Sequence, residues 1–185
     1  YLSILGLLTA VAGIYLFLRD PDALRRRLLM RERDSSQKKI IKISGLFLVA
    51  AFVLPGLDKR WGWSSVPVWV VILCDGLTIL AYLLFLMVMR ENSYGSRIIT
   101  VEKGQTVIRT GPYAVVRHPM YVAMLMIYLT EPLALGSYWA ILPALGMIPV
   151  IIARIKNEEM TLEQNLPGYI EYCDVVKYRL LPGIW

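Results

Sequence analysis

The chain has 185 residues, of which 57% are hydrophobic and 18% are charged, and its mean hydropathy is +0.54. Because a soluble domain is only about 45–50% apolar, this composition excludes an ordinary soluble fold. A single histidine and two distant cysteines leave no ligand set for a zinc or iron site, and no Gly-rich phosphate-binding motif is present.

The hydrophobic residues fall in long blocks with almost no charge. Since about 20 apolar residues cross the hydrocarbon core of a bilayer, such blocks predict membrane-spanning helices. The block from Met120 to Ala153 is too long for one span and has Gly136-Ser137 at its middle, which predicts two helices joined by a tight hairpin. We therefore predict five spans, at residues 1–18, 41–57, 66–90, 119–135 and 138–156.

The first block, Tyr1–Leu18, has a signal peptide as its alternative interpretation. It lacks the basic start and the small-residue cleavage site of such a peptide, so we predict a true first span. Further along, Asp20-Pro21 predicts a helix break. Asp22–Arg33 then predicts a basic amphipathic helix that lies along the headgroup surface.

The positive charges are distributed unevenly among the connections. Nine Lys and Arg residues lie in 19–42 and five in 90–117, whereas 55–65 has two and the hairpin at Gly136 has none. The positive-inside rule then places the two basic loops, the Arg154 end of the last span and the C-terminal tail in the cytoplasm. We interpret the net charge of +6 as a result of this topology and of contact with anionic lipids, and not as a sign of nucleic-acid binding.

Two acids, Asp75 and Glu131, lie within predicted spans. We interpret both as structural groups, with Asp75 hydrogen-bonded to a neighbouring helix, and a functional intramembrane acid is the alternative. Pro55-Gly56 predicts the end of the second span. An aromatic belt at the membrane interface is predicted from Trp61, Trp63 and Trp69.

The loop before the fourth span and the tail after the fifth are the longest polar segments of the second half. Ile98–Val101 and Thr106–Arg109 are β-prone runs around Glu102-Lys103-Gly104, which predicts an ordered cytoplasmic loop or a small hairpin. Leu166-Pro167-Gly168 predicts a turn after the last span. An aromatic tail follows and is expected to fold back over the site as a lid, through Tyr169, Tyr172, Tyr178 and Leu180–Trp185.

The most informative motif surrounds the only histidine, His118, which lies between Arg117 and Pro119. Proline is favoured at the first position of a helix, so His118 lies directly before a helix start. Amide groups at such a start favour anions, which predicts a ligand that carries a carboxylate. Tyr113 and Tyr121 crowd the same point, and a buried histidine that only caps the helix is the alternative.

A second polar cluster, Arg154 to Glu159, ends the fifth predicted span. Arg154 and Glu158 are four residues apart and share one helix face. Glu159 is rotated by about 100° from Glu158, so one carboxylate faces the site and the other faces water or the tail. A simple surface ion pair between Arg154 and Glu158 is the alternative.

These motifs together resemble the isoprenylcysteine carboxyl methyltransferases and their prokaryotic relatives, which are small multi-span enzymes that use S-adenosylmethionine. The resemblance rests on G-P-Y-x-x-x-R-H-P-x-Y at 111–121, R-x-x-x-E-E at 154–159, and Y-x-x-Y with V-x-x-Y-R-x-x-P at 169–182. It covers about the C-terminal half of the chain, and it implies that Arg154 binds the carboxylate of the acceptor. The cofactor contacts that it implies are Gln105, Thr106, Val107, Ile108, Tyr113, His118, Pro119, Met120, Tyr121 and Glu158.

The expected function is methyl transfer from S-adenosylmethionine, with S-adenosylhomocysteine as the product, to a membrane-embedded acceptor. The acceptor is expected to be the carboxylate of a prenylated cysteine or a similar lipid-borne acid that enters from the bilayer. Arg154 and Glu159 are the candidate catalytic residues, Arg154 as the carboxylate clamp and Glu159 as a base if the acceptor is an amine. Three alternatives remain open, namely phospholipid N-methylation, an NADPH-dependent membrane reductase, and a membrane scaffold without catalysis.

The predicted fold class is an all-α integral membrane protein with about five transmembrane helices. Its cofactor pocket is expected on the cytoplasmic face, between loops and the C-terminal tail. We expect a single membrane domain over 1–185, in which 1–90 forms a scaffold of three spans. The catalytic half, 91–185, would then contain the helical hairpin and the tail.

Overall fold

The computed structural model describes residues 1–19, 21, 35–92, 94, 101 and 104–185, without the side chains of 35–39. In these residues the chain forms helices and turns and no strand, which agrees with the predicted all-α fold. The helices are α1 (Leu2–Arg19), α2 (Ser35–Trp61), α3 (Val68–Glu91), a 3-10 turn (Gly111–Ala114), α4 (Pro119–Ala134), α5 (Ile141–Asn165) and α6 (Tyr169–Val175).

A helix is present at each of the five predicted spans. Three of them, Leu2–Arg19, Ile40–Trp61 and Val68–Glu91, are long and apolar enough to cross a bilayer, and α4 is apolar but shorter. The chain is therefore a membrane protein with at least three candidate spans, and the count of five stays a prediction. The amphipathic segment predicted at 22–33, Asp20, residues 98–100 of the first β-prone run, and Glu102-Lys103 lie outside the described residues.

One predicted boundary was wrong. The second span was expected to end at Pro55-Gly56, but α2 continues through Pro55 to Trp61. Pro removes one backbone hydrogen bond without removing the others. The fifth span was predicted to end at 156, and α5 continues beyond it to Asn165, because polar helix formers extend a helix after its membrane part. The limit of the fifth span itself stays a prediction.

The bundle is built on two antiparallel helix pairs. α3 packs against α4, and at mid-depth the hydroxyls of Thr78 and Thr130 are 3.0 Å apart in a hydrogen bond. α2 packs against α5, where the ring of Phe47 approaches Gly146 so closely that a Cβ there would lie 2.7 Å from it. Small residues at such crossings allow membrane helices to approach each other.

Each of the two acids in predicted spans has one buried carboxylate oxygen without a hydrogen-bond partner among the described residues. Asp75 Oδ1 and Glu131 Oε1 make no hydrogen bond with any residue that the structure describes. Glu131 is only 2% exposed. The predicted hydrogen bond from Asp75 to a neighbouring helix is therefore absent at this oxygen, and the bond between Thr78 and Thr130 joins α3 to α4 instead.

A polar cluster around Asp58 closes one end of the bundle. The Asp58 carboxylate accepts hydrogen bonds from the Ser64 amide at 2.7 Å and from the Ser137 hydroxyl at 2.5 Å, and it also accepts one from the Ser64 hydroxyl. It therefore ties the end of α2 to the α4–α5 turn. The exposed rings of Trp61, Trp63 and Trp69 lie on or next to the segment between α2 and α3, and the interfacial belt expected of them stays a prediction.

Candidate functional site

At the opposite end of the bundle, the two polar clusters of the sequence meet. The start of α4 and the end of α5 lie side by side, and the Tyr121 hydroxyl donates to Glu158 Oε2 at 2.6 Å. One residue further along α5, Glu159 Oε1 lies 3.3 Å from His118 Nε2. The motif at 111–121 and the motif at 154–159 therefore form a single site.

The turn that leads into α4 is fixed by a close backbone approach at Gly111. This residue has a φ of 57°, and a Cβ there would lie 2.8 Å from Glu91 Cγ. Glu91 in turn accepts a hydrogen bond from the Thr110 hydroxyl at 2.6 Å. Only glycine fits such a position without strain. This close approach and the hydrogen bond between Thr110 and Glu91 anchor the turn to the end of α3.

Tyr113 is held from two sides. Asn92, directly after α3, donates its side-chain amide to the Tyr113 hydroxyl at 2.7 Å. The Tyr172 hydroxyl of α6 donates to the backbone carbonyl of Tyr113 at 2.7 Å. Tyr113 is thus held in place between the end of α3 and α6.

The C-terminal tail folds back on the start of α4. The amide of Arg117 donates to the Tyr178 carbonyl at 2.9 Å, and the amide of His118 donates to the Arg179 carbonyl at 3.0 Å. The segment before α4 is joined to the tail in a second place, since Arg109 donates to the Gly168 carbonyl at 3.0 Å. The tail therefore encloses the site from the side away from α3.

Glu159 is the centre of a buried ion cluster. It is 3% exposed, and its carboxylate lies 2.6 Å from Arg179 Nε and 3.3 Å from both Arg117 Nη1 and His118 Nε2. Burial by itself raises the pKa of Glu159, but hydrogen bonds from His118 and Arg179 and the charge of Arg117 outweigh it, so the pKa is lowered. A carboxylate of lowered pKa is a weak base.

Tyr121 connects Arg154 to Glu158. Its hydroxyl accepts a hydrogen bond from Arg154 Nε at 2.9 Å while it donates to Glu158. The predicted pair on one face of α5 is therefore joined through a tyrosine of α4. Because Tyr121 is 5% exposed, this contact is shielded from water.

A pocket lies between the start of α4, the end of α5, α6 and the segment 105–108. Nine of the ten predicted cofactor contacts line it, and the tenth, Pro119, is buried at the start of α4. The candidate catalytic residues Arg154 and Glu159 lie outside the lining. The lining consists of Asn92, Tyr94, Gln105, Thr106, Val107, Ile108, Tyr113, Arg117, His118, Met120, Tyr121, Glu158, Leu162, Leu166, Tyr169 and Tyr172.

Several lining residues were not among the predicted cofactor contacts. Leu162 and Leu166 continue the helix face of Glu158 at intervals of four residues, so periodicity could have identified them. Tyr169 and Tyr172 were expected only as parts of a lid. Asn92 follows the end of α3 and carries no signal in the sequence.

Two buried polar atoms of lining residues make no hydrogen bond with the described part of the chain. They are Arg117 Nε and the Tyr169 hydroxyl. Burial, together with the charge of Glu159, raises the pKa of Tyr169, so its hydroxyl stays protonated and can donate a hydrogen bond. The pocket therefore offers a cation and a hydroxyl donor, while Glu158 supplies a carboxylate.

A comparison with protein families gives one match. The model of the isoprenylcysteine carboxyl methyltransferase family matches residues 70–164, just over half of the chain. The matched range begins in α3 and ends near the end of α5, so it includes both motifs that meet in the site. A search of curated proteins finds no match.

Proposed function

Because the chain belongs to the isoprenylcysteine carboxyl methyltransferase family, we propose that it methylates the carboxylate of a membrane-embedded acceptor with S-adenosylmethionine as the donor. The acceptor is a prenylated cysteine or a similar lipid-borne acid. The site faces the cytoplasm, since the basic loops flank this end of the bundle.

The pocket fits an S-adenosyl amino acid by its donor set. Arg117 and the Tyr169 hydroxyl suit a carboxylate, and Glu158 suits an ammonium group or ribose hydroxyls. Apolar and aromatic lining residues suit a purine ring, and they include Val107, Ile108, Leu162 and Leu166. When bound, this cofactor supplies a methyl group on a positively charged sulfur.

Arg154 acts on the acceptor and not on the cofactor. It lies outside the pocket lining, but the hydrogen bond of its Nε to Tyr121 places it against the pocket wall. A guanidinium binds a carboxylate through two parallel hydrogen bonds. Arg154 therefore holds an acceptor carboxylate beside the pocket, with Tyr121 between the two binding sites.

A carboxylate acceptor needs no general base. Its unperturbed pKa is about 4, so it is ionised at neutral pH, and the protein has to orient it and exclude water. An amine acceptor would need a base, and Glu159 is a poor one because Arg117, His118 and Arg179 all contact its carboxylate. We assign Glu159 the role of positioning His118 and the tail.

The observation that carries this proposal is the Tyr121 hydroxyl, which contacts Arg154 and Glu158 at the same time. This one group joins the residue assigned to the acceptor and the residue assigned to the cofactor.

The test is methyl transfer by the purified protein in lipid vesicles. We expect radiolabelled methyl groups from S-adenosylmethionine to appear on farnesylcysteine acid and not on phosphatidylethanolamine. Labelling of the amine lipid alone would favour phospholipid N-methylation. Saturable binding of NADPH without binding of S-adenosylhomocysteine would favour a reductase.

A further inference from the structure

The last residues of the chain form a closed turn that packs against the helix bundle. The Trp185 carbonyl accepts hydrogen bonds from the amides of Arg179, Leu180 and Leu181 at 2.9, 3.0 and 3.2 Å. The Arg179 guanidinium also lies over the Trp185 ring, 5.2 Å from its centroid. Residues 179–185, called the tail turn here, are therefore an ordered unit.

The tail turn packs on apolar residues of α4 and α5. Leu180 belongs to a buried cluster with Tyr121, Ile151 and Ile155, and Trp185 packs against this cluster. Further apolar residues of α4 complete it, namely Val122, Met124, Leu125 and Tyr128. The tail turn is thus attached to the side of the bundle and not only to the rim of the pocket.

The depth of this contact follows from the neighbouring span. Met120, at the start of α4, packs against a cluster that includes Val88 and Met89, near the end of the candidate span α3. At a rise of about 1.5 Å per residue, Leu125 lies about 7 Å further along α4, and Tyr128 about 12 Å further. The cluster under the tail turn therefore reaches the depth of the hydrocarbon region.

The outer side of the tail turn is apolar and uncovered. Leu181 is 51% exposed and Ile184 is 79% exposed. In water this exposure would be unfavourable, whereas at a bilayer surface it adds to membrane attachment. Because these uncovered side chains belong to a turn that packs on apolar residues of α4 and α5, bilayer lipid is the partner that fits them.

We propose that the tail turn is inserted into the bilayer, with Leu181 and Ile184 among the acyl chains, and that it forms a side wall of the route by which a lipid acceptor reaches Arg154. The second part rests on the proposed function. Leu180 and Tyr121 share one buried cluster, and Tyr121 accepts the hydrogen bond from Arg154. A lipid that passes beside the tail turn along the bundle therefore arrives near the clamp.

The first test measures insertion and does not use catalysis. Ile184→Cys is labelled with a fluorophore in a background in which Cys74 and Cys173 are replaced by serine, and the protein is placed in vesicles with nitroxide-labelled acyl chains. The matched controls are Leu80→Cys, an exposed residue of α3, and Gln164→Cys, an exposed residue near the end of α5.

We expect acyl-chain nitroxides to quench the label at 184 as they quench the label at 80, whereas an aqueous reagent quenches the label at 164. Quenching at 184 only by the aqueous reagent would overturn the insertion. Quenching that depends on protein concentration and not on lipid nitroxides would overturn it in favour of a contact between two copies.

The second test measures the route in the protein with both cysteines present. We expect Ile184→Asp to lower kcat/KM for a prenylated acceptor about tenfold, since a charge replaces a lipid-buried isoleucine. Affinity for S-adenosylhomocysteine should stay unchanged. Ile170→Asp, at an exposed isoleucine of α6, is the matched control.

Unchanged kcat/KM in Ile184→Asp would overturn the route, even if the insertion is found. If wild-type protein transfers no methyl group to any acceptor, the proposed function fails. The quenching result then still decides whether the tail turn is inserted.

Discussion

At the scale of single residues, Tyr121 is central to the site, because its hydroxyl on α4 contacts both Arg154 and Glu158 of α5. The neighbouring carboxylate, Glu159, has a different environment, with Arg117, His118 and Arg179 as partners and 3% exposure. Two adjacent glutamates on one helix thus have separate roles. Glu158 lines the pocket and Glu159 holds the tail.

Arg154→Lys separates acceptor binding from cofactor binding. Lysine keeps the charge but loses the planar pair of donors, so we expect kcat/KM for a carboxylate acceptor to fall about 10- to 100-fold. Affinity for S-adenosylhomocysteine, measured by calorimetry, should change little. Glu158→Gln should show the reverse pattern and weaken the cofactor first.

Lys156→Gln is the matched control for this comparison, since it removes an exposed cation from the same helix. Two results together would contradict the carboxylate clamp. One is a nearly unchanged kcat/KM for the carboxylate acceptor in Arg154→Lys, and the other is loss of activity toward an amine lipid in Glu159→Gln.

Glu159 should give the protein a stability that depends on pH. Its pKa is lowered in the folded state, so its contribution is fully present above the unfolded pKa of about 4.3 and is lost as pH falls through the lower folded pKa. We expect Glu159→Gln to reduce the free energy of unfolding by about 1.5–3 kcal/mol at neutral pH. The difference from wild type should shrink below about pH 4.

The measurement is thermal unfolding in detergent over a pH series. Glu163→Gln, at an exposed position one turn further along α5, is the control and should have little effect. A difference between wild type and Glu159→Gln that is constant from neutral to acidic pH would rule out this origin of the stability.

At the scale of elements, the α2–α5 crossing and the start of α4 position the site. α5 carries Arg154, Glu158 and Glu159, so its placement against α2 fixes where these side chains lie. That placement depends on the absence of a side chain at Gly146, where the Phe47 ring occupies the space. α4 begins at Pro119, directly after His118, and its first residues face the pocket.

Alanine should have opposite effects at two helical glycines. Glycine in a helix is normally about 0.5–1 kcal/mol less favourable than alanine, and Gly76 has open space around it, so Gly76→Ala should be neutral or stabilising. Gly146→Ala places a methyl group 2.7 Å from the Phe47 ring, so we expect it to destabilise the protein by about 1–3 kcal/mol.

Thermal unfolding measures both variants. Phe47→Leu should reduce the effect of Gly146→Ala, because the two positions are in contact and their effects are coupled. Additive effects in the double variant would show that the crossing is not limited by this contact.

At the scale of the whole molecule, the polar groups are divided between two ends of an apolar bundle. The Asp58 cluster with its tryptophans lies at one end, and the pocket with the C-terminal tail lies at the other. This division agrees with the predicted orientation, in which the basic loops and the tail share one side of the membrane.

The orientation predicts opposite labelling of two single cysteines. Tyr138→Cys, after the α4–α5 turn, should react with an impermeant thiol reagent from outside the cell. Gln164→Cys should react only in inverted vesicles. Reaction of both positions from the same side would contradict the five-span topology.

The sequence by itself determined the apolar helices and the two motifs. Charge-free blocks locate helices, because every backbone polar group must be satisfied within the bilayer. The resemblance to a family, read from motifs at fixed spacing, implied the nine lining residues, and the helix start at Pro119 and the face of Glu158 are local features of those motifs. The end of the second span was missed because α2 continues through Pro55 to Trp61.

Only the tertiary structure decided which groups meet across elements. No local pattern indicates that Asn92 holds Tyr113, that Tyr121 lies between Arg154 and Glu158, or that Arg179 neutralises Glu159. These contacts join residues from 20 to 37 positions apart along the chain. The physical reason is that the distance between two side chains depends on how whole helices pack, whereas hydropathy and periodicity describe one helix at a time.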